Sequence, residues 1–293
     1  MTADNNNKSE DNILPQDQFI SVNGRKIRYQ DTGGEGPILL LTHGIGASLE
    51  TWQEPYALLE KGNQLRVIVW DLPGHGLSDF GNQPYGVEDF AQAAWHFLDA
   101  LNIDQPITLG GNSLGGAISI HMMNLRPDRV NKLALLNAAS LGKESPLPFR
   151  LMSLPLLGEL MNKPGKQAVD QQIQSIFYEP EKQRPKIEAV ITRNVMRPGA
   201  NKAFLSTLRL MTNFSGQRPA LYQKTLSMLK TCPVPVLFVH GTHDMIISIE
   251  HTKNAQSITP KSSLLILEEC GHTPQVETPE KVANVLTDLI FNQ

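Results

Sequence analysis

The sequence predicts a mostly parallel α/β sheet flanked by helices, with a helical cap inserted between two of the core strands. Short apolar runs typical of buried strands alternate with segments whose apolar residues recur at helical spacing. One such run leads straight into a helix through a Gly-x-Ser-x-Gly sequence at residues 111–115. Residues 140–231 break the alternation, because their apolar residues recur at helical spacing only. We therefore expect a core of residues 17–139 and 232–293, and a cap of residues 140–231.

The core elements before the cap begin with a hairpin. Two β-prone segments, 19–22 and 25–29, flank Asn23-Gly24, a dipeptide that favours a tight hairpin turn. Ser48 is expected to be the N-cap of the helix that follows it. The remaining strands are expected at residues 38–41, 67–70, 107–110 and 130–136, and the helices at residues 48–61, 87–101 and 115–125.

The alternation of strands and helices resumes after the cap. Strands are expected at residues 234–239 and 264–267, and helices at residues 249–257 and 279–291. At the other end of the chain, residues 1–16 are polar and have no apolar core of the kind found in a signal peptide. We expect this segment to be a disordered tail.

Composition excludes several classes of function. The 293-residue chain has a net charge of −3 and no basic stripe, so we expect no nucleic-acid partner. It has no apolar stretch of about 18 residues, so we expect no membrane span. Cys232 and Cys270 would lie at opposite ends of neighbouring strands, too far apart for a disulfide, which predicts free thiols and a cytoplasmic protein. The oligomeric state stays open.

Ser113 is the candidate nucleophile. It lies at the centre of Gly111-Asn112-Ser113-Leu114-Gly115, between a predicted strand and a predicted helix. The turn at such a junction is sharp, and small residues on either side keep Cβ atoms out of it. The serine hydroxyl would then lie at the C-terminal edge of the sheet, facing a cleft.

Asp244 and His272 are the predicted partners of the nucleophile. A serine needs a general base, and the base needs a carboxylate that fixes its tautomer. Both residues follow predicted strands, so they belong to the sheet edge that also carries Ser113. Asp71 follows a strand too and is the rival acid. We favour Asp244 because its loop comes between Ser113 and His272 in the chain.

Two backbone N–H groups are expected to hold a developing oxyanion. The strand at 38–41 runs into His43-Gly44-Ile45-Gly46, where glycines allow the Ile45 N–H to point at the nucleophile. The Leu114 N–H, at the start of the helix after Ser113, would be the second donor. His43 is expected to brace this loop rather than to transfer protons.

Taken together, these segments resemble the α/β-hydrolase superfamily. The resemblance rests on His43-Gly44, the segment at 71–78, the serine motif, the segment at 241–244 and Gly271-His272, and it extends over residues 19–291. It implies an ester-cleaving serine hydrolase that works through an acyl-enzyme. It also implies that the 140–231 insertion roofs the nucleophile.

Two alternative functions stay open. Members of the family that hydrolyse carbon–carbon bonds of aromatic ring-cleavage products have a similar serine motif, but usually a Trp after the catalytic His, where this chain has Thr273. Other members are small-molecule receptors or scaffolds without catalysis. Thioesters and lactones also remain possible substrates.

The cap supplies the candidate substrate-binding residues. Its many Leu, Met and Phe side chains pack the cap, and some of them are expected to line an apolar pocket for a small or medium-sized ester. We name Phe204 and Met211 for this role, and Arg193 as a possible partner of a substrate carboxylate. No histidine pair has the spacing of a metal site, so we expect neither a metal nor another cofactor.

Overall fold

The computed structural model describes residues 17–62, 64–81 and 85–291. The predicted tail at 1–16 lies outside the described residues. Within them, strands β1 to β10 run over Gln18–Val22, Arg25–Asp31, Ile38–Thr42, Arg66–Trp70, Ile107–Asn112, Val130–Leu136, Thr212–Asn213, Gly216–Gln217, Val236–Gly241 and Ser262–Leu267. Helices α1 to α12 run over Gln53–Lys61, Val87–Ala100, Leu114–Leu125, Leu147–Met152, Leu157–Met161, Lys166–Ile176, Pro180–Met196, Ala200–Met211, Pro219–Lys230, Ile249–Ile258, Pro274–Glu277 and Pro279–Phe291.

Eight of the described strands form one sheet in the order β1-β2-β4-β3-β5-β6-β9-β10. In this sheet β1 pairs antiparallel with β2, and β2 pairs antiparallel with β4. The remaining pairs, β4–β3, β3–β5, β5–β6, β6–β9 and β9–β10, are all parallel. The expected fold class, a mostly parallel sheet with flanking helices, is confirmed. Because β4, β3, β5, β6, β9 and β10 all run in one direction, the loops after them meet at one edge of the sheet.

Helices cover both faces of this sheet. Successive strand residues point to opposite faces, so Leu40 packs into one apolar cluster while Leu39 and Leu41 pack into the other. The first cluster includes side chains of α2, α3, α9 and α10. The second includes side chains of α1 and α12. Because both faces of the parallel strands are buried, their sequences are nearly continuous apolar runs.

The insertion lies between β6 and β9, which are adjacent parallel strands. Most of it is helical, with α6 and α7 forming a small apolar cluster of their own that reaches the core at Val276. The sequence has no strand signal in this insertion, yet β7 and β8 form a short antiparallel hairpin there. Each of these strands has two residues, too few to produce an alternating pattern. The last helix, α9, packs on the core, where Thr225 is hydrogen-bonded to His121 of α3.

Ser48 is the N-cap residue, as predicted, but of a 3₁₀ helix over Leu49–Trp52 that precedes α1, and its side chain makes no capping hydrogen bond. Instead the Ser48 hydroxyl donates to Glu50 Oε2 at 2.6 Å and accepts from Asn194 Nδ2 at 2.9 Å. A partner on the cap helix α7 therefore replaces the local capping bond.

No helix among the described residues combines the length and the hydropathy that a bilayer crossing requires. The two cysteines, Cys232 and Cys270, are free and buried. Burial raises the pKa of the Cys270 thiol to about 12, so this thiol stays protonated beside His272.

Candidate active site

Ser113 occupies the sharp turn between β5 and α3. Its backbone dihedrals, φ 55° and ψ −115°, lie in a region that side chains other than glycine rarely adopt. Two backbone bonds hold the turn: the Ser113 N–H donates to the Leu136 carbonyl, and the Ser113 carbonyl accepts from the Ala139 N–H. The serine therefore lies at the C-terminal edge of the sheet in a strained conformation that its surroundings enforce.

Glycines make this turn possible at two places. A Cβ on Gly111 would lie 2.2 Å from the carbonyl of Gly115. A Cβ on Gly115 would lie 2.2 Å from the carbonyl oxygen of Thr42, at the end of β3. Both distances are far below van der Waals contact, so only glycine allows strand, turn and helix to approach this closely. The Gly-x-Ser-x-Gly spacing thus has a steric cause.

His272 and Asp244 are in hydrogen-bond contact. His272 Nδ1 lies 2.8 Å from Asp244 Oδ2, although the two residues are on separate loops after β10 and β9. An ionised carboxylate only accepts, so Nδ1 carries the proton and Nε2 is left as an acceptor. This is the tautomer that a general base for a serine hydroxyl requires.

Asp244 is held as an anion. Burial opposes its ionisation, but the electrostatic interaction with His272 and hydrogen bonds from His272 and Asn137 outweigh burial, so its pKa lies below the usual range. Its second oxygen, Oδ1, accepts the Ile246 and Ile247 N–H groups at 2.7 and 3.0 Å. Four donors therefore fix both the charge and the orientation of this carboxylate.

Two asparagines that the sequence analysis did not single out support these loops. Asn112 Nδ2 donates to the carbonyl of His272 at 2.9 Å and so ties the end of β5 to the histidine loop. Asn137 Nδ2 donates to Asp244 Oδ2 at 2.6 Å and to the Gly271 carbonyl at 3.2 Å. Asn112 precedes the serine and Asn137 directly follows β6, positions that indicate a role only once the strands are placed side by side.

The loop at residues 43–48 lies directly against the serine. A Cβ on Gly44 would lie 3.3 Å from Ser113 Cβ. None of the hydrogen bonds among the described residues uses the Ile45 or the Leu114 N–H. Both donors are therefore available on the two segments, 43–48 and the start of α3, that flank the serine.

His43 braces that loop, as expected from the sequence. Its Nε2 accepts the Leu72 N–H at 3.0 Å, so its Nδ1 carries the proton and donates to the Gly44 carbonyl at 2.7 Å. Complete burial, with the nearby His75 contributing, lowers the pKa of His43 to about 3. The imidazole therefore stays neutral and joins the loop after β4 to the loop after β3.

Asp71, the rival acid, has other partners. One of its oxygens accepts the Leu49 N–H and the other accepts the Leu77 N–H, both at 2.7 Å. The Arg28 guanidinium lies 3.3 Å from Asp71 Oδ2, and Asp71 is completely buried. Burial raises the pKa of Asp71 to about 6 despite Arg28. These contacts hold the start of the 3₁₀ helix at Leu49 and the turn that leads to Leu77. The acid that contacts His272 is Asp244.

Among the three cap residues named from the sequence, Phe204 lies beside the candidate site. A Cβ on Gly46 would be 3.2 Å from the Phe204 ring, so this ring packs on the 43–48 loop. Phe149 of α4 covers it edge-on, with ring centroids 6.3 Å apart. A cavity of about 20 Å³, room for about one water molecule, lies between Phe204, Gly46 and His75.

Met211 and Arg193 have different surroundings. Met211 is buried in the main core cluster, where it packs between cap and core. Arg193 Nη1 pairs with Glu50 Oε1 at 2.6 Å, and its Nη2 lies 3.2 Å from the Ser48 hydroxyl. The expected pocket-lining role of Met211 and carboxylate-binding role of Arg193 thus find no support in these contacts, because packing and the Glu50 ion pair already engage the two side chains.

No group of three or more His, Cys, Asp or Glu side chains in the described parts of the chain could hold a metal ion. His240, which neighbours Asp244, is satisfied within the protein: its Nε2 donates to the Ile247 carbonyl at 3.1 Å, and Thr252 is hydrogen-bonded to its Nδ1 at 2.8 Å. Burial lowers the pKa of His240, so it is a neutral neighbour of the acid.

A serine on a strained strand-to-helix turn against a glycine loop, with a His–Asp pair on the loops after two other strands of the same sheet, is the arrangement typical of α/β hydrolases. The family model described as the alpha/beta hydrolase fold matches residues 37–279, and the chain belongs to this family. Because this match extends over most of the chain, it supports a hydrolase.

The proteins similar to this chain include an uncharacterized protein, a dienoic acid hydrolase and an esterase. It is 30% identical over 289 residues to the uncharacterized protein Rv2715 of Mycobacterium tuberculosis, covering 93% of this chain and 80% of that protein. It is 26% identical to a 2-hydroxy-6-oxo-6-(2'-aminophenyl)hexa-2,4-dienoic acid hydrolase of Metapseudomonas resinovorans, covering 92% of this chain and 88% of that enzyme. A thermophilic esterase from Thermogutta terrifontis superimposes with a TM-score of 0.76 at 21% identity, over 94% of this chain and 98% of the esterase. At that identity the superposition shows the fold alone.

Proposed function

We propose that this protein is a serine hydrolase of carboxylic esters with Ser113 as nucleophile, His272 as general base and Asp244 as the orienting acid. One observation carries the proposal: a strained serine lies next to the 43–48 loop, and Asn112 beside it holds the loop of a histidine paired with a buried carboxylate. A backbone strain of about 1–3 kcal/mol at a hydroxyl-bearing residue is typical of functional sites.

The reaction proceeds in two halves. His272 Nε2 takes the proton of the Ser113 hydroxyl while Oγ attacks the ester carbonyl, and the same imidazole returns that proton to the departing alcohol. The resulting acyl-enzyme is then attacked by water, whose proton passes to His272 and on to Ser113 as the acid leaves. Asp244 remains ionised throughout and stabilises the imidazolium that forms in each half.

Each tetrahedral intermediate carries a negative oxygen, and the Ile45 and Leu114 N–H groups are the donors proposed for it. They are peptide groups fixed by a glycine loop and by the start of a helix, so they need little reorganisation when the charge develops. One donor of this kind contributes about 3–4 kcal/mol to transition-state stabilisation in acyl transfer.

Cleavage of a carbon–carbon bond is the alternative, and the dienoate hydrolase among the relatives favours it. Two features favour the ester instead. Thr273 follows His272, where the carbon–carbon hydrolases of the family usually have a Trp. Arg193, which would otherwise attract a dienoate carboxylate, is paired with Glu50 at 2.6 Å. A scaffold without catalysis would have no need of a strained serine and a His–Asp pair, whereas a slow receptor would keep both and is distinguished from an enzyme by its turnover.

The proposal is tested by labelling and turnover of the wild-type protein. A fluorophosphonate probe is expected to modify Ser113, mapped by peptide mass spectrometry, and p-nitrophenyl esters are expected to be hydrolysed with many turnovers. Labelling at a different residue would contradict the nucleophile assignment. A higher kcat/KM for a dienoate ring-fission product than for every simple ester would favour the carbon–carbon reaction, and labelling without turnover would favour a receptor.

Phe204 is expected to limit the length of the acyl chain. Its ring fills the space against Gly46, so Phe204→Ala should open room for added methylene groups, each contributing about 0.8 kcal/mol or about fourfold in kcat/KM. The measurement is kcat/KM for p-nitrophenyl esters from acetate to decanoate, and the optimum should move to longer chains.

Met211→Ala is the matched control for this prediction. Met211 is buried in the main core cluster, so the variant should lose about 2–5 kcal/mol of stability and keep the wild-type order of substrates. An unchanged optimum in Phe204→Ala, or the same shift in both variants, would contradict the assignment of Phe204 to the acyl pocket.

A further inference from the structure

The loop that carries His272 is bonded to the cap as well as to the core. The His272 N–H donates to the Ile176 carbonyl at 2.8 Å, at the end of the cap helix α6. The cap backbone also passes close to Gly271, the residue before His272: a Cβ on Gly271 would lie 2.7 Å from the Tyr178 backbone nitrogen. The candidate base is therefore packed directly against cap backbone.

Glu277 joins the same two segments from the other side. Its carboxylate accepts the Gly271 N–H at 3.0 Å and the Thr273 N–H at 3.4 Å, the two peptide groups that flank His272. It also accepts the Tyr178 N–H of the cap at 2.8 Å. Both oxygens are used, because Oε1 accepts from Gly271 and Thr273 while Oε2 accepts from Gly271 and Tyr178.

We propose that Glu277 is a positioning residue which, with the cap segment 176–178, clamps His272 in place, so that the base is fully aligned only when the cap is docked. The inference rests on the proposed function. It goes beyond it by making the cap part of the positioning machinery as well as a roof over the substrate.

The clamp complements the core contacts of His272 without duplicating them. The core holds the imidazole through Asp244 and the His272 carbonyl through Asn112. The remaining polar backbone group of this residue, its N–H, is bonded to the cap. If the cap lifts, the loop keeps its core partners but loses the bond from the His272 N–H to Ile176, and Glu277 loses the Tyr178 N–H. Displacements of about 1 Å at a catalytic group can reduce a rate by about 100-fold.

Glu277→Ala and Glu277→Gln are expected to lower kcat by about 10- to 100-fold with little change in KM. Glutamine is a strict test, since it keeps one acceptor oxygen and presents an NH₂ group to the N–H groups on the other side. The kcat should fall by the same factor for acetate and hexanoate esters, because the defect lies in the base and not in the pocket. The rate of fluorophosphonate labelling at Ser113 should fall in parallel.

The cap side of the clamp is tested by a matched pair at Tyr178. Tyr178→Pro removes the N–H that Glu277 accepts, and Phe177, with φ −114° and ψ 147°, already has the backbone conformation that precedes proline. Tyr178→Ala removes the same aromatic ring, which contacts His243, but keeps the N–H. We expect kcat to fall in Tyr178→Pro and to stay close to wild type in Tyr178→Ala.

Glu280→Ala is the control for loss of an acid in this region, since Glu280 is exposed in the first turn of α12, and its activity should equal that of the wild type. Unchanged kcat in folded Glu277→Gln, equal effects of the two Tyr178 variants, or a defect that grows with acyl length would each overturn the clamp. Failure of the proposed function is distinguishable, because the wild type itself would then show neither labelling at Ser113 nor ester turnover. If Glu277→Ala does not fold, Glu277→Gln and the Tyr178 pair decide the question.

Discussion

Replacing Ser113 with alanine is expected to lower kcat for ester hydrolysis by a factor on the order of 10⁶, with the fold retained. The hydroxyl oxygen is the atom that forms the acyl bond, so no neighbouring group can replace it. Alanine has the same Cβ as serine and meets the same backbone strain at φ 55°, so we expect a stability change within about 1 kcal/mol. Turnover of p-nitrophenyl esters and thermal unfolding followed by circular dichroism measure the two quantities.

Two further variants separate the reaction from the strain. Ser119→Ala removes a buried hydroxyl in α3, the helix that follows Ser113, and should retain activity. That hydroxyl donates to the Gly115 carbonyl at 2.9 Å. Ser113→Gly should be as inactive as alanine but more stable than it, because glycine adopts this backbone conformation without steric cost. Near-wild-type turnover in folded Ser113→Ala would refute the assignment of the nucleophile.

The core of the fold could be predicted from the sequence because each element has a local signal. Buried parallel strands are continuous apolar runs, and the order in which strands and helices alternate constrains the topology. The steric demand of the turn at Ser113 is also local, since Gly111 and Gly115 are required by atoms within a few residues or on the adjacent strand β3. For the same reason the positions of Asp244 and His272 at one sheet edge followed from their place after strands.

The details of the cap could not be predicted in this way. The hairpin β7–β8 is held by neighbouring elements, and two-residue strands carry no periodic pattern. The last helix of the insertion, α9, has apolar residues at helical spacing like the cap helices, yet it packs on α3. Helical spacing reveals that a helix has an apolar face, but it does not reveal which part of the protein that face contacts.

The polar support of the site depends on long-range contacts for which the sequence has no signal. Asn137 is 107 residues from Asp244 in the chain, and Tyr178 is 99 residues from Glu277. Arg193 looked available for a substrate carboxylate because its partner, Glu50, is 143 residues away. A single charged residue on a predicted helix does not indicate whether another charge of the protein neutralises it.

Asp244→Asn is expected to lower kcat by about 10⁴-fold while the protein remains folded. The N–H groups of Ile246 and Ile247 hold one side-chain oxygen in place, so the new amide should keep its oxygen there and direct its NH₂ group toward His272. That NH₂ donates to Nδ1 and forces the ring proton onto Nε2. An imidazole in this tautomer cannot accept the proton of the Ser113 hydroxyl.

Asp71→Asn is the matched comparison, because Asp71 is the other buried carboxylate that follows a strand at this edge of the sheet. Its amide would place an NH₂ group against the Leu49 N–H or against the Leu77 N–H and Arg28. The cost should therefore fall on stability, at about 1–3 kcal/mol, and not on the tautomer of His272. The test is kcat for both variants beside their unfolding free energies. A severe loss of kcat in Asp71→Asn together with a mild effect in Asp244→Asn would show that Asp71 is the acid that orients His272. The 2.8 Å contact between His272 and Asp244 would then be incidental to catalysis.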